Sequence, residues 1–61
     1  MNLVFYNFDN EDEVIVAYDN CYIVPRKDDL VVIGGKIYFI ITNPCFNYEK
    51  NTVWVFAKER K

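Results

Sequence analysis

An all-β fold is what the sequence predicts, on three observations. Apolar residues alternate with a period of two rather than the helical period of about 3.6. The longest apolar runs, VIVAY at 14–18 and IYFII at 37–41, have the length of strands. Clusters of Asn, Asp, Gly and Pro separate the runs as turn punctuation. Five to six short strands in 61 residues form a small antiparallel meander, strongly twisted or closed into a small barrel. A chain of this length has room for a single small β domain over residues 1–61.

The elements follow in order. NLVFYNF at 2–8 ends in the turn cluster DNEDE, and EVIVAY at 13–18 ends in the tight-turn dipeptide DN, so the two form an antiparallel pair. CYIV at 21–24 continues or restarts a strand that Pro25 stops, because proline has no N–H for the ladder. PRKDD is then a charged loop. LVVI, two glycines and KIYFIIT make a hairpin, with Gly34 and Gly35 supplying the positive φ angles of a two-residue turn. NPCFNYEKN is a longer connection, and TVWVFAKE at 52–59 is the last strand before the basic end KERK.

That hairpin fixes a register: Ile33 opposes Lys36, Val32 opposes Ile37, Val31 opposes Tyr38 and Leu30 opposes Phe39. One face is then Leu30, Val32, Ile37, Phe39 and Ile41, wholly apolar and expected to be core. The other is Val31, Ile33, Lys36, Tyr38, Ile40 and Thr42, also mostly apolar, although a half-buried strand should turn a polar face to water. In the last strand Val53, Val55 and Ala57 suit a tight interior, which points Trp54 and Phe56 outward. Either the remaining strands cover the second face, or Val31, Ile33, Tyr38, Ile40, Trp54 and Phe56 form a partner-binding patch. Exposed Trp and Tyr are enriched in interface hot spots.

The run VPRKDDLVVIGGKIYFI followed by NYEKNTVWVF resembles the small β-barrel proteins of phage and mobile-element genomes, over residues 24–56. In those a Pro-basic loop precedes a strand, a Gly hairpin, a Tyr-containing strand and a terminal Thr-Val-x-Val strand. The resemblance implies a small Src homology 3-like barrel and a phage-encoded modulator or inhibitor of a host protein. The chain departs from the pattern at Asp28, where a Gly usually precedes the Asp of the loop.

Residue types narrow the chemistry. There is no His and no Ser, which removes the commonest general base and the hydroxyl nucleophile of most triads, so no enzymatic activity is expected. Two cysteines without His or C-x-x-C spacing are too few for a zinc site, and neither a metal nor a cofactor is expected. Cys21 and Cys45 read as reduced thiols in a cytoplasmic protein without a membrane segment. A net charge of −2 and a pI near 4.8 disfavour nucleic acid as the partner. The expected function is a non-enzymatic protein-binding module whose partner is a host or cellular protein or a second copy, as a homodimer. The alternatives are a single-stranded nucleic-acid-binding barrel, which stacks bases on exposed aromatics, and a nucleotide-sized ligand binder at a subunit interface.

Overall fold

The computed structural model describes residues 1–61. Six strands and no helix are present: β1 (Asn2–Asn7), β2 (Asn10–Tyr18), β3 (Leu30–Ile33), β4 (Lys36–Ile40), β5 (Cys45–Asn47) and β6 (Thr52–Glu59). They share one sheet of order β2-β1-β6-β4-β3, with β5 pairing to β6 off this path. The all-β expectation therefore holds. Closure into a barrel does not occur, because β2 and β3 end the order without pairing to each other. The sheet is nevertheless curled: Leu3, Phe5 and Tyr18 of β1 and β2 and Leu30 and Val31 of β3 line one recess, although these strands stand towards opposite ends of the order.

The centre of the sheet is β6, and its sequence explains why. Val53, Val55 and Ala57 are all 0% exposed, and such small side chains fit where strands press in from both edges. On one edge lies β1, running parallel from Asn2↔Thr52 to Asn7↔Ala57. The ladder is extended by the Asn2 N–H to the Asn51 carbonyl at 3.0 Å and the Phe8 N–H to the Ala57 carbonyl at 2.9 Å. The sheet is thus mixed rather than purely antiparallel. On the other edge, β4 takes the C-terminal half of β6 and β5 the N-terminal half.

The β1–β2 turn is tighter than the DNEDE cluster suggests. Only Phe8 and Asp9 separate the strands, and the Asn7 side-chain oxygen accepts the Asp9 N–H at 2.9 Å. Asn10 to Glu13 accordingly belong to β2. Their register is irregular: Phe5 opposes Val16, Tyr6 opposes Val14 and Asn7 opposes Asn10. Ile15 is one extra residue on β2, and Glu11, Asp12 and Glu13 have no opposite residue on β1.

The Gly hairpin forms in the expected register, from Leu30↔Phe39 to Ile33↔Lys36. Gly34 and Gly35 have φ of 59° and 79°, as a type I′ turn requires. Its two faces, however, are exchanged relative to the sequence expectation. Ile40 opposes Ala57 and is 1% exposed, and Val31, Ile33 and Tyr38 pack against the same core. Leu30, Val32 and Phe39, expected inside, are 54%, 69% and 39% exposed. The cause is the pairing of β4 with β6, which puts the parity of Ile40 on the side of Val53, Val55 and Ala57. The polar residues of that face do not oppose this. Lys36 sits beside the turn and reaches Glu59 at 3.9 Å, and the Thr42 hydroxyl accepts the Phe56 N–H at 3.3 Å just past the strand.

Residues 21–24 do not continue as a strand. The Cys21 N–H still bonds the Met1 carbonyl at 2.7 Å, after which the chain crosses to β3 by way of the buried Pro25. In that crossing Asp28 has φ 74°, the left-handed conformation that a Gly would adopt at no steric cost. Its N–H is held by the Ile40 carbonyl at 2.8 Å, and the Asp29 carboxylate accepts the Arg26 N–H at 2.8 Å. The NPCFNYEKN connection contains β5, then a turn in which Asn51 has φ 52°. Leu3, Phe5, Ile40, Val53, Val55 and Ala57 form the buried core on the concave side.

Candidate protein-binding face

The convex side of the sheet is apolar across most of its width. From the register, Val4 lies beside Trp54 and Tyr6 beside Phe56. Val14 lies beside Tyr6 on the other edge of β1. Across β6, Ile41 takes the Phe56 carbonyl through its N–H at 2.8 Å, and Phe39 and Leu30 continue the row towards the β3 edge. Lys58 is the one charge that β6 places on this surface, and its ammonium leans to Asp9 at 3.8 Å. Tyr6 and Phe56 form a ring pair with centroids 5.7 Å apart, tilted by 33°.

Of the six residues that the sequence singled out, Trp54 and Phe56 lie on this convex face, half-buried. Val31, Ile33, Tyr38 and Ile40 do not join them. They lie on the concave side, where Ile40 is sealed in the core and the other three pack against it. Their places on the convex face are taken by Leu30, Val32 and Phe39. The sequence held no signal for this exchange, since the hairpin is apolar on both faces and Lys36, beside the turn, carries little information about which one is inward. Val4 and Tyr6 join the convex face through the pairing of β1 with β6, the alternate residues Leu3 and Phe5 being the buried pair.

Three recesses interrupt the surface. The largest, about 770 Å³, lies at the β1–β2 turn end of the sheet. It is lined by Asp9, Lys36, Lys58 and Glu59 among others, charges that already pair within the chain. A second, of about 420 Å³, opens where the sheet fails to close, between Leu3, Phe5 and Tyr18 on one flank and Pro25, Leu30 and Val31 on the other. The third, of about 480 Å³, is on the convex face and is lined by Tyr6, Trp54, Phe56, Glu11 and Asp12.

No group of three or more His, Cys, Asp or Glu side chains converges as metal ligands. Cys21 and Cys45 are not bonded to each other, the first half-buried and the second exposed. No helix is long and apolar enough to cross a membrane. What the fold defines is a small curled β-sheet with an aromatic convex face. Comparison with protein-family models, with curated proteins and with solved structures finds no match to the chain.

Proposed function

We propose that this chain is a non-enzymatic protein-binding module that works through the convex face of its sheet. The observation that carries this reading is the exposure of Leu30, Val32 and Phe39 beside the half-buried Trp54 and Phe56 on one continuous surface. Scattered apolar residues are normal on any protein, but a contiguous patch rich in large side chains marks an interaction site. Aromatic anchors of this type dominate the energetics of interfaces. The resemblance of residues 24–56 to small phage barrels suggests a setting, in which a phage-encoded module occupies a surface on a host protein.

The test compares immobilised wild type with Phe39→Glu and Val32→Glu in a bacterial lysate. The expected result is a protein that the wild type retains and both variants lose, with far-UV circular dichroism unchanged. Sedimentation velocity on the same three proteins shows whether a second copy is the partner. Identical retention and identical sedimentation for the three proteins would overturn the assignment of this face.

A further inference from the structure

The recess over Tyr6, Trp54 and Phe56 has a chemical bias that the rest of the convex face lacks. Its floor is three aromatic rings and its rim is two carboxylates, Glu11 and Asp12. The rim is in place because of the irregular register of β2. Tyr6 opposes Val14 while Asn7 opposes Asn10, so the three residues between have no partner on β1 and bulge out of the ladder. Bulges of this kind re-aim side chains and recur next to functional sites.

The chain supplies no cation to this recess. The two ion pairs in the structure join Lys36 to Glu59 and Lys58 to Asp9, leaving Glu11 and Asp12 without one. Lys58, the nearest cation along β6, is drawn to Asp9 at 3.8 Å and is not among the residues lining the recess. Aromatic faces carry the negative lobe of a quadrupole and attract cations, Trp most strongly, and two carboxylates beside them act in the same sense. The same carboxylates repel a phosphate backbone, which argues against nucleic-acid bases stacking here.

We infer that the recess receives a cationic side chain, an arginine of a basic segment in the partner protein, stacked on Tyr6, Trp54 and Phe56 and paired with Glu11 and Asp12. Arginine suits the site better than lysine because its planar guanidinium stacks on rings while donating to carboxylates at its edge. This inference rests on the convex face being the binding surface, and it adds the charge and the shape of the group that the partner presents there.

Trp54 is the only tryptophan, so its fluorescence reports occupancy of the recess. The probe is a short glycine-arginine peptide, titrated at low salt against the same peptide with citrulline in place of arginine. Citrulline keeps the shape and removes the charge. The expected result is a saturable change in Trp54 emission with the arginine peptide, an affinity at least fivefold weaker for the citrulline peptide, and a similar loss in the double variant Glu11→Gln, Asp12→Asn. Both replacements are at exposed positions and nearly isosteric, so circular dichroism should match that of the wild type.

Equal affinity for the two peptides, no change at Trp54, or full affinity in the double variant would each overturn the cationic assignment. Tighter binding of a single-stranded oligonucleotide than of the arginine peptide, with the same Trp54 response, would also overturn it. None of these outcomes touches the effect of Phe39→Glu and Val32→Glu on partner retention. The face and its cationic ligand therefore fail separately.

Discussion

Exchanging the two faces of the Gly hairpin makes residues of its two strands energetically opposite to expectation, and Ile40→Ala against Val32→Ala measures this. Ile40 is 1% exposed, in contact with the central strand, so truncation removes buried methylenes and leaves a cavity, at about 3 kcal/mol within the usual range for such changes. Val32 is 69% exposed. The two methyl groups lost there are worth about 0.8 kcal/mol each when fully buried, so at this exposure the loss is about 0.5 kcal/mol. Both substitutions also give up some strand propensity, which cancels in the comparison. A 61-residue chain has roughly 3–9 kcal/mol of stability in total, so the first change removes a large share and the second little. In melting temperature the contrast is a fall of roughly 12–24 °C against one of a few degrees. The assay is urea unfolding followed by Trp54 emission and far-UV circular dichroism, with the slope held constant as evidence of two-state behaviour. Equal midpoints for the two variants, or a lower one for Val32→Ala, would refute the face assignment.

Further outcomes are expected elsewhere in the chain. Asp28→Gly relieves a left-handed backbone at φ 74° and should raise stability by up to about 1 kcal/mol in the same denaturation assay, since no side-chain hydrogen bond of Asp28 is lost. Gly34→Val and Gly35→Val should each lower it by about 1 kcal/mol or more; no atom lies within 4 Å of the added Cβ, so the penalty is conformational, and Gly35→Asn should cost less than Gly35→Val. With a thiol reagent and no reductant, exposed Cys45 should react in the folded protein well before half-buried Cys21, and both should react after unfolding. Lys36→Ala removes an exposed ion pair with Glu59 and should move the urea midpoint by no more than the equivalent of about 0.5 kcal/mol.

Local chemistry was the most legible part of this fold. The turn of Gly34 and Gly35, the hairpin register and the span 52–59 of the last strand all follow from residue type and spacing. The inward set Val53, Val55 and Ala57 was legible for the same reason, since small aliphatics alternating with Trp54 and Phe56 admit one sensible orientation. The face of the hairpin was not legible, because Leu30 to Ile41 is apolar on both sides and alternation then carries no sign. Only the lateral partner of β4 decides it, through Ile40 opposite Ala57, and that contact spans the intervening chain. The parallel pairing of β1 with β6 escaped for a related cause: nothing in NLVFYN or TVWVFAKE specifies the direction of its neighbour. The recess at Tyr6, Trp54 and Phe56 depended on that pairing, since it takes one ring from β1 and two from β6.

The parallel ladder joins residues 50 positions apart, as in Leu3 beside Val53, and this governs the order in which the molecule can assemble. Closing a loop of that length costs about 3.5 kcal/mol in chain entropy beyond a constant, before any of its contacts form. The β1–β2 and β3–β4 hairpins need only short loops and can form first, each with half of the concave lining uncovered. Neither half is shielded from water until β6 arrives between them. Until it does, two apolar hairpins are exposed to other chains. Slow refolding with a steep dependence on protein concentration is the kinetic signature that such a topology leaves.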